Sequence, residues 1–374
     1  MHILIPVLHR PSKPTGVCRH AVNLAQCLSD TDKVTKITLI IGEWQQQYFA
    51  ESFNLLSPKI ELLAIKIKNT SLARNKWFLF DLPRIANRLQ PDLVHLSFPF
   101  PFIRSRFKSP VISTIHDFYP YECPENFGFP QVWFNRWFLR QCLDNSDGLS
   151  CVSQATLKSL KQYFPKLDIK KQIRLIYNYV DFRHVTPRIP EKLAKETNLS
   201  FILCVAQHRQ NKNLDLLIKA YSRLLKWGVI KPTTKLILVG NSGPETEKLE
   251  TLRHTLDLEK QVLFMSSLSD KELCWLYKNC QLFAIPSSTE GFCIPLVEAI
   301  TLAPKVICSD IPIFREVGSS NCHYFELNER SLDNLCEAML SVLKESSSNA
   351  HDEELRFSKE YVAQQLLNFY VSIG

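Results

Sequence analysis

The sequence predicts an α/β protein built from two doubly wound units, and three observations carry that prediction. Apolar runs of strand length alternate with amphipathic stretches along the whole chain of 374 residues, the rhythm of parallel sheets covered by helices on both faces. The strand candidates are almost continuously apolar, as strands buried on both faces are. The rhythm breaks at residues 181–198, where two prolines and many charges intervene.

In chain order, the strand candidates of the first half are "HILIPVL", "VTKITLII", "IELLAIKI", "DLVHLS", "PVISTIH", "GLSCVS" and "QIRLIYN". Helical stretches such as "GVCRHAVNLAQCLS" and "KWFLFDLPRIANRL" separate them. The second half offers "SFILCVA", "TKLILVG", "QVLFM", "CQLFAIP", "KVICSD" and "NCHYFE". The tail reads as a closing helix. The expected organisation is a first domain over residues 1–180, a linker over 181–198, a second domain over 199–350 and the closing helix over 351–374. Both domains are of ordinary size.

Composition narrows the class. Apolar residues make up 45% of the chain, enough for a large core and against wholesale disorder. No run of eighteen apolar residues occurs, so no membrane-spanning helix is expected. The opening "HILIPVL" is too short for a signal peptide and lacks a basic leader. A cytoplasmic protein is therefore expected, with its twelve scattered cysteines reduced and mostly buried.

The net charge is +8 and uneven. Residues 1–180 hold 23 basic against 13 acidic side chains, and the remainder 22 against 24. A basic half suits an anionic surface or ligand, or is simply a solvated face. A pI near 8.8 raises nucleic-acid binding as an alternative, but no nucleic-acid module signature is present. Only ten glycines occur, and neither G-x-G-x-x-G nor a P-loop is among the motifs, which argues against a dinucleotide dehydrogenase or a P-loop kinase. "DTD", Asp30 to Asp32, matches the D-x-D string of metal-dependent sugar-nucleotide enzymes. It precedes a strand instead of following one, so no metal is expected there.

Open parallel sheets bind ligands beyond the carboxyl ends of their strands, which selects four places. After the first strand, Gly16 opens a helix, where backbone N–H groups meet anions, or else the glycine only makes the turn. After "VISTI" come His116 and Asp117, as a substrate contact or as a core-edge histidine bonded to backbone. After "FILCVA" come Arg209 and Lys212, a fork and a point charge suited to a diphosphate, before a helix that Asn213 is placed to cap. After "CQLFAIP" comes "SSTEGFCIPLVEAI", with Glu290 in the loop and Glu298 in the helix. A carboxylate accepts hydrogen bonds from vicinal hydroxyls, so one glutamate suits a sugar and the other a ribose, with phosphates between them at the helix start. The bland alternative is one capping and one surface glutamate.

These residues carry a resemblance. Glu290 and Glu298 reproduce the E-x7-E motif of retaining GT-B glycosyltransferases, and "STEGFCIPLVEAI" closely resembles its family 4 version. "QHRQNKNLDLLIKAYSRL" is similar to that family's R-x-x-K-N segment, and "LILVGNSGPETEKL" to its strand–Gly–helix unit. "VLFMSSLSDKELCWLYKNCQLFAIPS" resembles its nucleotide-side region, and "VICSDIPIFREVG" the segment after the second glutamate. "STIHDFYPYECPENF" and "TGVCRHAVNLAQCL" resemble the H-D stretch and first helix of the bacterial polysaccharide members. The likeness covers nearly the whole chain and is strongest from Leu199 to Gly318.

The resemblance implies two Rossmann-like domains facing a cleft, and transfer of a hexosyl group from a nucleotide sugar to an acceptor hydroxyl with retention. It implies that Arg209 and Lys212 bind the diphosphate, Lys212 also offsetting charge on the departing phosphate. Glu290 would contact the donor sugar, with His116 beside it. Gly291, Phe292, Cys293 and Ile294 would line sugar and phosphate, and Glu298 would hold the ribose. Ser266, Ser267 and Leu268 would meet the base, and Gly16 the diphosphate. The resemblance assigns no side chain as nucleophile, since in the family's front-face mechanism the leaving phosphate takes the acceptor's proton, and it implies no cofactor or metal, in keeping with the misplaced D-x-D string. A non-catalytic nucleotide-sugar binder is the alternative, which the intact site residues oppose.

The chain departs from the family's pattern in three places. Cys18 replaces a glycine, which predicts less room for the loop at the phosphates. Ser266 stands where many members have Gly, and Tyr179 where Gly is usual. For the donor, UDP-glucose is the first expectation and GDP-mannose the second. The acceptor is expected to be a glycan or lipid-linked saccharide in polysaccharide biosynthesis. "VWFNRWFLRQ" and "RNKWFLFDLPRIANRL" mix aromatics with cations. They are either a contact at the inner face of the plasma membrane or ordinary buried aromatics.

Overall fold

The computed structural model describes residues 1–9, 15–53, 55–167, 171–183, 185–196, 199–345 and 355–374. Parts of the loop after the first strand, of the linker and of the boundary before the closing helix lie outside the described residues. The chain forms two compact units. One comprises Met1–Tyr179 with Leu355–Gly374, and the other Val180–Glu354.

The first unit is a seven-stranded parallel sheet. Its strands are β1 (His2–Pro6), β2 (Lys36–Gly42), β3 (Ile60–Ile65), β4 (Leu93–Leu96), β5 (Val111–Ile115), β6 (Gly148–Cys151) and β7 (Gln172–Leu175), in the order β3-β2-β1-β4-β5-β6-β7. All but β7, whose QIRL alternates polar and apolar residues at the sheet edge, fall in apolar runs. Successive side chains of a strand point to opposite faces. Accordingly Ile3 and Ile5 enter one apolar cluster and Leu4 the other. Three of the helices covering the sheet are α1 (Gly16–Ser29), α2 (Leu82–Leu89) and α3 (Gln131–Asn145). Trp77 and Phe78 of the stretch leading into α2 are buried beneath it, so that aromatic run is core.

The second unit is a six-stranded parallel sheet. It consists of β8 (Phe201–Val205), β9 (Lys235–Val239), β10 (Val262–Met265), β11 (Leu282–Ile285), β12 (Val306–Ser309) and β13 (His323–Phe325), in the order β10-β9-β8-β11-β12-β13. Its helices include α4 (Leu214–Lys226), α5 (Thr246–Thr255), α6 (Asp270–Asn279) and α7 (Ile294–Leu302). The cluster under α4 joins Leu217, Ile218 and Tyr221 to Ile202, Leu236 and Leu282 of the strands.

The chain then returns to the first unit through α8 (Lys359–Ile373), which packs beside α1. Val362, Leu366, Phe369 and Tyr370 of α8 share a cluster with Ile3 and Val22. Tyr370 hydroxyl lies 2.6 Å from His95 Nδ1, and His95 Nε2 2.7 Å from Thr114 Oγ1. Lys359 Nζ pairs with Asp30 Oδ2 at 2.5 Å. Asp30 of the "DTD" string therefore serves at the end of α1, away from the carboxyl ends of the strands.

All twelve cysteines are free and buried. Among the described residues, no helix is long and apolar enough to cross a membrane.

Candidate active site

The strand order of each sheet reverses once, and at such a point the loops on either side diverge and leave a crevice beyond the carboxyl ends. In the second unit the reversal lies between β8 and β11, paired through Leu282 with Ile202 and Phe283 with Leu203. The loops that follow these two strands are the ones carrying Arg209–Lys212 and Glu290.

These loops are stitched together by backbone contacts. Ser288 N donates to Asn211 O at 2.9 Å, Asn211 Nδ2 to Thr289 O at 3.1 Å, and Asn213 Nδ2 to Pro286 O at 2.9 Å. Asn213 adopts φ +47° and makes no side-chain cap. The expected helix cap is thus replaced by a tie between loops. Beside them, a Cβ on Gly240 would stand 1.9 Å from Ala206 O, so glycine is needed where the end of β9 approaches the loop after β8.

The result is a close charge pair. Lys212 Nζ lies 2.5 Å from Glu290 Oε1, with the side chains only 12% and 8% exposed. Ser287 Oγ donates to the same oxygen at 2.8 Å. Ser287 is fully buried, and its carbonyl accepts from Ser309 Oγ. Arg209 is half-buried at the mouth of the same loop, and its guanidinium makes no ion pair among the described residues.

Eight residues beyond Glu290, Glu298 is 3% exposed within α7. Its Oε2 accepts from Tyr277 hydroxyl at 2.7 Å. Burial, and then the neighbouring carboxylate, push the Tyr277 hydroxyl well above its ordinary pKa. Glu298 is therefore neither a capping nor a surface residue. Cys293 turns the chain into α7 at φ +67°. Gly291, Phe292 and Cys293 form the loop before it, and Ile294 is the first helical residue. Burial, and next the charge of Glu290, raise the Cys293 thiol.

On the other side of β8, Ser266, Ser267 and Leu268 connect β10 to α6. Ser269 caps α6 reciprocally with Glu272. The left-handed residue here is Ser267, at φ +61°, one position after the Ser266 that stands where many members have Gly.

In the first unit the reversal lies between β1 and β4. Gly16 opens α1 beyond β1, and a Cβ there would meet nothing within 4 Å, so the position faces open space. Cys18 is fully buried, its Sγ 3.3 Å from Tyr48 hydroxyl and 3.5 Å from Thr15 Oγ1 at the entry to α1; residues 10–14 of the loop, on which the expectation for Cys18 bears, lie outside the described residues. Tyr179 is likewise buried, its hydroxyl donating to Gln26 Oε1 at 3.1 Å.

His116 follows β5 and is half-buried. Nε2 lies 2.8 Å from Ser97 O. A carbonyl only accepts, so Nε2 carries the proton and Nδ1 presents a lone pair. The backbone bond weighed in the sequence is real, and it leaves the other nitrogen available as an acceptor. Burial lowers the His116 pKa to about 4, so the ring is neutral. The His20 ring meets it edge-on at 4.6 Å, and His20 Nδ1 lies 2.6 Å from Asn178 Oδ1. Asp117 Oδ1 accepts from Tyr119 N at 3.1 Å.

The structure therefore brings Lys212 against Glu290, ties the loops that carry them together, sets Gly291 to Ile294 and Glu298 directly after the second of these loops, and puts Ser266 to Leu268 at the end of a strand two places away. It sets Gly16 and His116 at the corresponding edge of the first unit. Sequence inspection missed Ser287, Asn211, Tyr277 and His20. Ser287 lies three residues before Glu290 and was legible as a local hydroxyl partner. Tyr277 lies on a different helix, and no spacing rule connects it to Glu298.

Two parallel doubly wound units, each with one strand reversal, make a two-domain α/β frame whose ligands bind beyond the carboxyl ends of the strands. The family model described as "Glycosyltransferase Family 4" matches residues 14–184, and that described as "Glycosyl transferases group 1" matches residues 185–359. The chain belongs to the group 1, family 4 glycosyltransferases, and its fold is GT-B.

Among relatives, the O-antigen chain mannosyltransferase RfbU of Salmonella typhimurium is 25% identical over 256 residues, 68% of each chain. The serotype-specific mannosyltransferase WbdA of Escherichia coli is 33% identical over 117 residues, 31% of this chain and only 14% of that protein. Among solved structures, Anabaena Alr3699/HepE in complex with UDP and glucose aligns with a TM-score of 0.66 at 17% identity, covering 100% of this chain and 97% of that one. That likeness speaks for the fold.

Proposed function

We propose that this glycosyltransferase moves a hexosyl group from a nucleotide sugar to a hydroxyl of a glycan or lipid-linked saccharide, with retention and without a metal, in the assembly of a bacterial surface polysaccharide. The observation that carries the reading is the Lys212–Glu290 pair at the β8/β11 reversal, with Glu298 eight residues on.

Each residue has a role that its position supports. Arg209 and Lys212 bring positive charge to the diphosphate, and Lys212 stabilises the charge that grows as the glycosidic bond breaks. Glu290 accepts hydrogen bonds from donor-sugar hydroxyls. Glu298, fixed by Tyr277, accepts from the ribose. Backbone N–H groups of Gly291 to Ile294 approach sugar and phosphate. Ser266 to Leu268 receive the base, Gly16 gives the diphosphate room, and neutral His116 offers Nδ1 to a sugar hydroxyl. The leaving phosphate accepts the acceptor's proton.

For the donor, relatives named as mannosyltransferases move GDP-mannose ahead of UDP-glucose. The name of the Salmonella relative favours an O-antigen-type glycan as acceptor, and a reaction at the cytoplasmic side of the inner membrane belongs to the same proposal.

A panel of nucleotide sugars tests the donor by thermal shift, since a ligand bound only by the folded state raises the melting temperature. GDP-mannose is expected to give the largest shift and UDP-glucose a smaller one. Slow donor hydrolysis without acceptor then separates enzyme from binder. An inverted anomeric signal in the released sugar, read by NMR before mutarotation, would overturn the retaining reading.

A further inference from the structure

Three residues of the first unit close around the His116 ring. Its Nε2–H donates to Ser97 O, just past β4. The Phe98 ring lies 27° from parallel to it, with centroids 6.1 Å apart. His20, on α1, stands perpendicular to it at 4.6 Å. His20 is only 5% exposed and is tied down in turn. Its Nδ1 lies 2.6 Å from Oδ1 of Asn178, in the stretch beyond β7. An amide oxygen only accepts, so Nδ1 carries the proton and Nε2 a lone pair. Among the described residues, no protein group donates to that Nε2.

Packing alone does not require this histidine. A phenylalanine or leucine would fill such a space without enclosing two nitrogens, one of them unanswered by the protein. What the imidazole adds is the bond to Asn178, which fixes the rotation of the ring as well as its place. His116 needs that support. Among the described residues its ring makes one hydrogen bond, to Ser97 O, and a ring held at one nitrogen can still pivot about that bond. The Phe98 face and the His20 ring remove the pivot, as supporting residues do for a group that must point one way.

We infer that His20 is a positioning residue: anchored by Asn178, it fixes the His116 ring in the orientation that presents Nδ1. The inference rests on the proposed contact between His116 Nδ1 and a hydroxyl of the transferred sugar. His20 itself touches no reacting atom and acts through His116.

The test compares His20→Phe, Asn178→Leu and His116→Ala in the full chain, using the nucleotide sugar that gives the largest thermal shift and its bare nucleoside diphosphate. His20→Phe keeps a ring in place and loses the bond to Asn178. Asn178→Leu keeps the imidazole and loses the same bond. Each should lower kcat about tenfold or more, because small misplacements near a reacting centre are costly. Neither should change affinity for the bare nucleotide, and in a His116→Ala background neither should lower kcat further. Nitrogen-15 NMR of labelled histidine should show the His116 ring rigid in the wild type and mobile in both variants, whatever the donor. Circular dichroism establishes folding, and Asn178→Leu decides if His20→Phe does not fold. A purely structural role would lower the melting temperature and leave kcat of the folded protein intact. Normal kcat in either folded variant, alongside a loss in His116→Ala, overturns this inference and leaves the sugar contact standing. Losses that add in full to that of His116→Ala also overturn it, since His20 would then act on its own. Normal kcat in His116→Ala removes His116 from the sugar, and this inference falls with it.

Discussion

Lys212 Nζ stands 2.5 Å from Glu290 Oε1 in a setting where both side chains are almost fully enclosed. The cation proposed for the diphosphate and the carboxylate proposed for the sugar hold each other. Removing one partner leaves the other charge buried, which costs about 3–5 kcal/mol in fully buried pairs. Lys212→Met and Glu290→Gln should therefore each lower stability, and the double variant should be more stable than their sum, with a coupling of roughly 0.5–3 kcal/mol. Denaturant unfolding of the three variants measures this. Lys212→Met should also cut kcat about a hundredfold or more, and near-normal turnover would remove it from the site.

The two glutamates should fail differently. Glu298→Gln should weaken the bare nucleotide diphosphate and the whole donor alike, by about 1.5–3 kcal/mol. Glu290→Gln should bind the bare nucleotide at least as well as the wild type, because Lys212 is released from its internal partner, while turnover falls. Calorimetry with the nucleotide diphosphate decides the matter. Equal weakening by both substitutions contradicts the division of roles.

Tyr277→Phe removes only the hydroxyl that holds Glu298 Oε2 at 2.7 Å. Nucleotide affinity should drop about tenfold, within the range for a hydrogen bond to a charged group. The effect on kcat should be small. A change confined to kcat would show that Tyr277 acts on something other than the placement of Glu298.

Acid should unfold the first unit through its histidines. Burial lowers His95 to about 3 and His116 to about 4, and it lowers His20 as well, all from 6.5. In each case the unfolded chain binds the proton first. Stability is thus unaffected above about pH 6.5 and falls as pH drops toward 4, by about 1.4 kcal/mol per pH unit for each histidine involved. Melting temperatures of wild type and His95→Gln across this window should diverge, with the variant showing the shallower decline. Parallel curves would remove His95 from the transition.

Activity should survive excess EDTA, because Arg209 and Lys212 supply the positive charge at the diphosphate. Full loss on chelation, restored by Mn²⁺ or Mg²⁺, would overturn the metal-free reading.

The central strands were legible because each is a buried apolar run, whereas the edge strands β3, β7 and β13 are largely half-buried or exposed and were legible from their β-branched, aliphatic or aromatic residues alone. Glu290, Glu298, Arg209 and Lys212 were legible because each follows a strand end or opens the next helix, where parallel sheets carry their chemistry. Side-chain direction was not. Cys18 turns inward to Tyr48 because the 3.6-residue period of α1 puts it on the sheet-facing side. "KWFLF" and "VWFNRWF" look alike in composition. The first is enclosed and the second is open, since burial depends on which neighbours the tertiary fold supplies. Tyr277 reaches Glu298 from a separate helix, a contact that no local pattern encodes.

Helix α8 gives Leu366, Phe369 and Tyr370 to the cluster that holds Ile3, so on a ribosome the half of the protein translated first is the half finished last. Its sheet can pair once Leu175 has emerged. Its flank along α1 stays uncovered until α8 has left the exit tunnel, when the second unit, Val180–Glu354, is already out in full. A premature stop ahead of Lys359 would therefore strip apolar cover from the earlier-born half and spare the later one. Its product would be a substrate for chaperones and proteases, not a shortened enzyme.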